Sequence, residues 1–306
     1  MNQSLIRFKE SYLLYNFKRD RIAIISFIIL ALLVLTGILA PIISPYNPFD
    51  PINIDIMNAE IPPVWLEEGS KDFFLGTDIQ GRDLLSTMIY GLRLSLIIGC
   101  GAVLLQALLG IMFGLIAGYM GGKIDSLFMR LADIQLSFPY LMVAIFISAI
   151  FQVAFGIGRF EKLAVPLLVI IIGLAEWPVY ARTVRASVMG EKSKEYVEAA
   201  RVIGLSRKVI MVRHILPNTM TSVLVISTIQ VANAIMSEAA LSFLGLGMPV
   251  TKPSLGSLIR SGFEYIFSGS WWITFFPGFL LVLLVLVINL LGDWLRDVFN
   301  PKLYKG

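Results

Sequence analysis

Runs such as "LLVLTGILA" (32–40) and "FLLVLLVLVINLL" (279–291) limit this chain more than any other feature. A helix in a soluble domain needs one apolar stripe facing its core, whereas these runs are apolar on every side. About 20 such residues cross a bilayer, and six segments qualify: 22–43, 92–119, 136–155, 163–180, 220–244 and 271–291. The 306 residues could form two soluble domains, but only 15% are charged, against about 25% in soluble proteins. The expected class is therefore an all-α integral membrane protein with six transmembrane helices. The first apolar run is too long for a signal-peptide core and follows about twenty residues, so it reads as an uncleaved anchor.

Lys and Arg set the expected orientation. Arg7, Lys9, Lys18, Arg19 and Arg21 precede the first span, and Lys123 and Arg130 lie in the 120–135 loop. Eight more fall in the 181–219 loop, and Arg296, Lys302 and Lys305 follow the last span. The other side holds Lys71, Arg82, Arg159, Lys162, Lys252 and Arg260, with Arg93 at a boundary. The positive-inside rule then puts both termini in the cytoplasm. The formal net charge of +4 reads as this topological excess and not as a nucleic-acid footprint. The chain divides into a tail (1–21), the first span (22–43), an outer loop (44–91), a core with spans two to six (92–292) and a second tail (293–306). The acidic outer loop, with "PYNPFDP" and "IPP", reads as a folded or semi-ordered cap and not as a separate enzyme domain.

Within the spans, Gly110, Gly114 and Gly118 form a GxxxGxxxG ridge. Such a ridge admits a close helix neighbour, within the bundle or across a dimer, with packing in the bundle favoured. Gln230, Asn233 and Ser237 share one helical face by their i, i+3, i+7 spacing, and Glu238 adjoins them. Polar groups at that depth face a bundle interior or a water-filled path, so this row either lines a translocation route or bonds helices together. Glu238 sits near the outer end, placed to snorkel or meet a cation, while Glu176 and Asp293 near span ends read as anchors. Cys100, the only cysteine, excludes an internal disulfide and reads as a buried inert thiol.

Catalytic signatures are missing from the sequence: it has no HExxH, Cys/His cluster or nucleophile elbow, and no metal site is expected. "AGYMGGKID" fails as a P-loop because Ala117 and Ile124 stand where Gly and Ser/Thr are needed. In the outer loop, "GTDIQGRD" repeats Gly-x-Asp at Gly76/Asp78 and Gly81/Asp83. It lacks EF-hand spacing, and a turn fixed by Asp78 and Arg82 is the better reading.

The 195–218 stretch, "EYVEAARVIGLSRKVIMVRHILPN", is a charged island that carries the only histidine. It predicts a helix, a turn at Gly204, and a second amphipathic helix closed by Pro217. Such a segment can rest on lipid headgroups, but its small residues and glycine turn better suit a groove on a partner protein. The stretch resembles the EAA loop of permease subunits in ATP-binding-cassette importers. That pattern runs EAA, three residues, Gly, nine residues, Ile, any residue, Leu-Pro. Glu198, Ala199, Ala200, Gly204, Leu216 and Pro217 match, while His214 replaces the Ile and reads as a packing or docking residue. "LGTDIQGRDLLSTMIYGLRLSL", "GYMGGKIDSLFMRLADI", "EAALSFLGLGMP" and "FPGFLLVLLVLVINLLGDWLRDVFNPKL" extend the resemblance from Leu75 to the C-terminus. Together they resemble the C-type permease subunit of dipeptide, oligopeptide and nickel importers.

The resemblance implies a type I importer fold with a cytoplasmic coupling helix in 191–217. It also implies a second permease subunit, two ATPases that hold the ATP and Mg, and an extracytoplasmic substrate-binding protein, with no cofactor on this chain. Glu198, Ala199, Ala200, Arg201, Gly204 and Leu205, with Leu216 and Pro217, would form the ATPase contact. The expected cargo is a di- or oligopeptide; nickel chelates, glutathione or another small solute would use the same importer type. A secondary transporter or channel working alone is the competing class.

Overall fold

The computed structural model describes residues 12–50 and 54–299. The expectations placed on Arg7, Lys9, Lys302 and Lys305, and on Pro51 of the "PYNPFDP" turn, lie outside them. Ten helices carry the architecture: α1 Tyr12–Arg19, α2 Arg21–Ile38, α3 Leu84–Met120, α4 Gly122–Leu136, α5 Tyr140–Phe155, α6 Ala164–Lys192, α7 Glu195–Val202, α8 Arg207–Phe243, α9 Leu255–Phe263 and α10 Trp272–Val298. Caps start two of the spans. Asp20 accepts bonds from the Ile22 and Ala23 amides, and Asp83 accepts one from Ser86 at 2.8 Å, satisfying donors that have no partner within the helix.

By length and apolarity α2, α3, α6, α8 and α10 can each cross a membrane. The expected 136–155 segment is not a single straight span. That stretch is a pair, α4 and α5, bent by 91° at residues 137–139, which makes either one broken span or a re-entrant loop. Pro139 gives the local cause, since proline disfavours helix in the residue before it and cannot donate in the next turn. The break is pinned to α6, because Gln135 Nε2 donates to the Leu174 and Ala175 carbonyls at 2.6 and 2.8 Å, and Trp177 Nε1 donates to Gln135 Oε1 at 3.0 Å. Thus the expected 120–135 loop is a helix, tied to α6 by an Asp125–Arg185 pair at 2.5 and 2.6 Å and by Arg182–Asp133.

Two more expectations are corrected. α6 does not stop near 180 but runs through Pro178 to Lys192, so Glu176 lies mid-helix and not at a span end. Cys100 is exposed on the outer face of α3, in a groove with Val34, Ile38 and Leu96; an apolar neighbourhood in sequence does not distinguish the lipid-facing side of a helix from the core side.

The core is built on the α3–α6 contact. Built Cβ atoms at Gly110, Gly114 and Gly118 would lie 2.2 Å from Tyr180 Cβ, 2.5 Å from the Ala181 carbonyl oxygen and 2.9 Å from the Arg185 carbonyl oxygen. The ridge therefore packs inside this bundle, where only hydrogen side chains permit that approach. α8 then covers α3 and α6, and Tyr180 donates to Ser227 at 2.9 Å. Phe17 packs edge-on against Trp294 at 5.3 Å. That contact brings the first described helix to the end of α10, where Arg296 and Phe299 share a groove with Thr221 and Ser222 near the start of α8. This end, with the turn between α7 and α8, is called here the loop end, and residues 44–50 and 54–83 form the opposite, cap end.

Candidate functional site

Three groups of sequence-selected residues lie at three levels of the bundle, and the structure does not merge them. At the loop end, α7 turns its apolar side inward, burying Val197 and Ala200. Tyr196 anchors it by donating to Glu191 at 2.6 Å and accepting from Asn218 at 3.2 Å. Burial, then the Glu191 carboxylate, holds the Tyr196 phenol above its usual range, so it stays a donor near neutrality. Ala200 therefore packs into this chain's own core, while Glu198, Ala199 and Arg201 face outward. Arg201 donates to Glu198 at 2.6 Å.

The turn after α7 exposes its apolar residues. Val202 is 88% and Ile203 76% exposed, with Leu205 and Val209 also outside. Gly204 has φ +84°, and a Cβ there would meet nothing within 4 Å. Backbone geometry, not space, therefore demands glycine. Beneath the turn a cavity of about 410 Å³ is lined by Tyr119, Lys192, Arg201 and Arg207.

Pro217 does not close the second amphipathic segment. α8 runs unbroken from Arg207 to Phe243, with a π-wound turn at Ile210–Ile215 just before the proline. Pro217 sits in the first turn of the following α stretch, where a missing N–H is tolerated. Leu216 is half-buried, and the His214 carbonyl accepts from Asn218 at 2.8 Å.

At mid-depth, Gln230, Asn233 and Ser237 come together as their spacing predicts, around a residue that sequence reading set aside. Glu176 accepts from Gln230 Nε2 at 2.9 Å and from Ser237 Oγ at 3.2 Å, with Gln106 Nε2 at 3.5 Å. Asn233 donates to Gln230 Oε1 at 2.9 Å. Glu238 leaves this group. It is fully buried on another face, accepting from Ser95 at 2.8 Å and Ser242 at 2.7 Å, so it neither snorkels nor meets a cation.

At the cap end, Arg82 and Asp78 are almost fully buried, with Arg82 Nη2 2.6 Å from Asp78 Oδ2. Asp78 also accepts the Gln80 and Arg82 amides at 2.8 and 3.0 Å, and Arg82 Nη1 donates to the Val250 carbonyl at 3.0 Å. Gly76 and Gly81 have φ +81° and +74°, which the tight turn requires. Asp83 faces the other way and caps α3. Trp272 Nε1 donates to the Thr77 carbonyl at 3.2 Å, locking the cap onto α10. Among the described residues no three His, Cys, Asp or Glu side chains gather as a metal site.

An all-helical bundle with five or six apolar crossings defines a polytopic membrane protein. Residues 110–305 match the family of binding-protein-dependent transport system inner membrane components, and residues 11–63 match the N-terminal TM domain of oligopeptide transport permease C. The chain belongs to the first of these, the inner-membrane permeases of binding-protein-dependent transport systems.

Its relatives include a di/tripeptide transport system permease protein of Pseudomonas aeruginosa, 39% identical over 94% of this chain and 90% of the relative. A dipeptide transport system permease protein of Haemophilus influenzae is 37% identical over 94% of this chain and 93% of that one. An oligopeptide transport system permease protein of Bacillus subtilis is 35% identical over 99% and 92%. Among solved structures, an inward-facing MetNI methionine ABC transporter chain aligns with TM-score 0.53 at 20% identity, covering 71% of this chain and 97% of that one. That likeness shows the type I importer fold.

Proposed function

We propose that this chain is the C-type permease subunit of an ATP-driven importer of di- or oligopeptides, working with a second permease subunit, two ATPases and an extracytoplasmic binding protein. The peptide cargo follows from the names of the relatives, all peptide permeases at 35–39% identity over nearly the whole chain. Both termini lie in the cytoplasm in this reading, as the Lys/Arg distribution requires. The chain is non-catalytic; ATP and Mg belong to the partner ATPases.

One observation carries the coupling role. The α7 turn holds Val202 and Ile203 outside while Val197 and Ala200 lock it to the bundle. Apolar side chains held out on a fixed helix end suit a groove in a partner. Glu198, Ala199, Arg201, Gly204 and Leu205 form the outward contact in this reading, while Ala200, Leu216 and Pro217 support it from within or behind. Movement of the ATPases then biases the bundle between two states. Gln230, Asn233 and Ser237 line the cargo route, and Gly76, Asp78, Gly81, Arg82 and Asp83 hold the cap above it; Glu238 serves packing.

Gly204→Val tests this. A β-branched residue at φ +84° costs about 1–2 kcal/mol locally and redirects Val202 and Ile203. With the whole complex in proteoliposomes, the variant inserts normally but loses at least about tenfold in ATP-dependent peptide uptake. Unchanged uptake would sink the coupling assignment. Peptide transport by the purified chain alone would support the stand-alone class instead.

A further inference from the structure

The mid-membrane carboxylate of Glu176 has a chemical imbalance that the fold alone does not resolve. It is 4% exposed in the middle of α6. Its partners, Gln230, Ser237 and Gln106, are all neutral donors. Among the described residues none of the ion pairs includes it. Of the other deeply buried acids, Asp78 holds Arg82 and Asp83 caps a helix. Glu238 also has only neutral serine donors, but it does not line the cavity that Glu176 borders.

Glu176 also borders a cavity. A space of about 310 Å³ opens beside it, lined by Gln135, Phe138, Tyr140, Gln230 and Asn233. The Phe138 and Tyr140 rings are exposed, and they stand at the α4–α5 break that Gln135 pins beside Glu176. Asn233 donates one N–H to Gln230, and among the described residues its side-chain oxygen accepts no bond. The cavity thus presents a carboxylate, an amide oxygen and two aromatic rings, with no cation among its lining residues.

We propose that Glu176 is the cargo-ammonium site of the translocation route, taking the α-ammonium of a passing peptide with help from Asn233, Phe138 and Tyr140. This rests on the peptide-importer reading above. A primary ammonium brings three donors and a full positive charge. A carboxylate in a low-dielectric setting with only neutral partners gains more from such a cation than an exposed one does. Aromatic faces add cation–π attraction without blocking release. Gln230 and Ser237 are positioning residues, because each donates to one oxygen of the carboxylate that lines the cavity.

The test uses the complete importer in proteoliposomes and two photoreactive dipeptides, photo-leucyl-alanine and alanyl-photo-leucine. In the wild-type complex the amino-end probe labels 135–140, 176–179 or 230–233, and the carboxyl-end probe labels elsewhere. Glu176→Gln lowers uptake and amino-end labelling by about tenfold or more, the scale of one charge-assisted bond, and Glu176→Asp retains most of both. Equal uptake and labelling in Glu176→Gln overturns the proposal. So does a transporting wild type whose amino-end probe never labels those segments, a result that stands even if the variants fail to assemble. A wild-type complex that neither imports nor is labelled by either dipeptide removes the peptide-importer reading itself, and the proposal with it.

Discussion

Arg82→Ala is expected to lower folding stability by about 3–5 kcal/mol, the scale for breaking a buried pair by removing one partner. The pair is almost wholly excluded from solvent, and alanine would leave Asp78 as a buried carboxylate whose remaining donors are the Gln80 and Arg82 amides. The bond from Arg82 to the Val250 carbonyl is lost too, freeing the cap from the segment after α8. A denaturant titration in detergent, followed by tryptophan fluorescence, reads the loss. Trp272 reports on it directly, since it bonds the Thr77 carbonyl beside the pair. Removing both charges, with Asp78→Asn and Arg82→Met, should restore at least half, because a neutral packed pair avoids the uncompensated charge. A single-variant loss under about 1 kcal/mol would mean that water reaches Asp78 and that the cap is not held this way.

Gly110→Leu is the second large effect, and it arises from steric overlap and not from charge. The first carbon of any side chain at 110 falls 2.2 Å from Tyr180 Cβ, 2.9 Å from the Ala181 nitrogen and 3.0 Å from the Trp177 carbonyl oxygen. None of these atoms can rotate away, so α3 and α6 must separate along their main contact. Overpacking costs about 1–3 kcal/mol where side chains can yield, and here the loss is at least about 3 kcal/mol. Gly278→Leu on α10 is the control, since a Cβ there meets nothing within 4 Å. Size-exclusion profiles after detergent extraction should show Gly278→Leu monodisperse and Gly110→Leu aggregated or absent. A monodisperse Gly110→Leu would disprove the close approach.

These two sites also mark how much of the fold could be read from the chain. Glycines at a four-residue spacing announce their own neighbour, because only close packing gives such a ridge a purpose. Asp78 and Arg82 were legible for the same reason: two charges in a Gly-rich turn above apolar spans need each other. The polar row at Gln230, Asn233 and Ser237 was found from helical periodicity. Glu176 was missed as its centre, since periodicity speaks only within one helix and the carboxylate arrives from another. Its misplacement followed from ending α6 at an aromatic-to-charged transition, when the helix continues to Lys192. Glu238 failed the opposite way: adjacency to the row suggested membership, but a single step of about 100° turns it to another face. The continuity of α8 through Pro217 was hidden as well, because the π turn that admits the proline has no signature in sequence.

That continuity has a mechanical consequence. From Arg207 beside the exposed turn to Gln230 beside Glu176, α8 is a single rod roughly 35 Å long at 1.5 Å per residue. A helix resists stretching and twisting far more than a loop does, so a tilt or rotation imposed at one end arrives at the other with little slack. The π turn at 210–215 is the one stretch with altered winding, and it lies next to the point where force would enter. Compliance sits at the handle while the shaft stays stiff. The donors that hold the Glu176 carboxylate, Gln230 and Ser237, ride on that shaft. A push at the loop end would therefore loosen or tighten their grip on it in a single stroke.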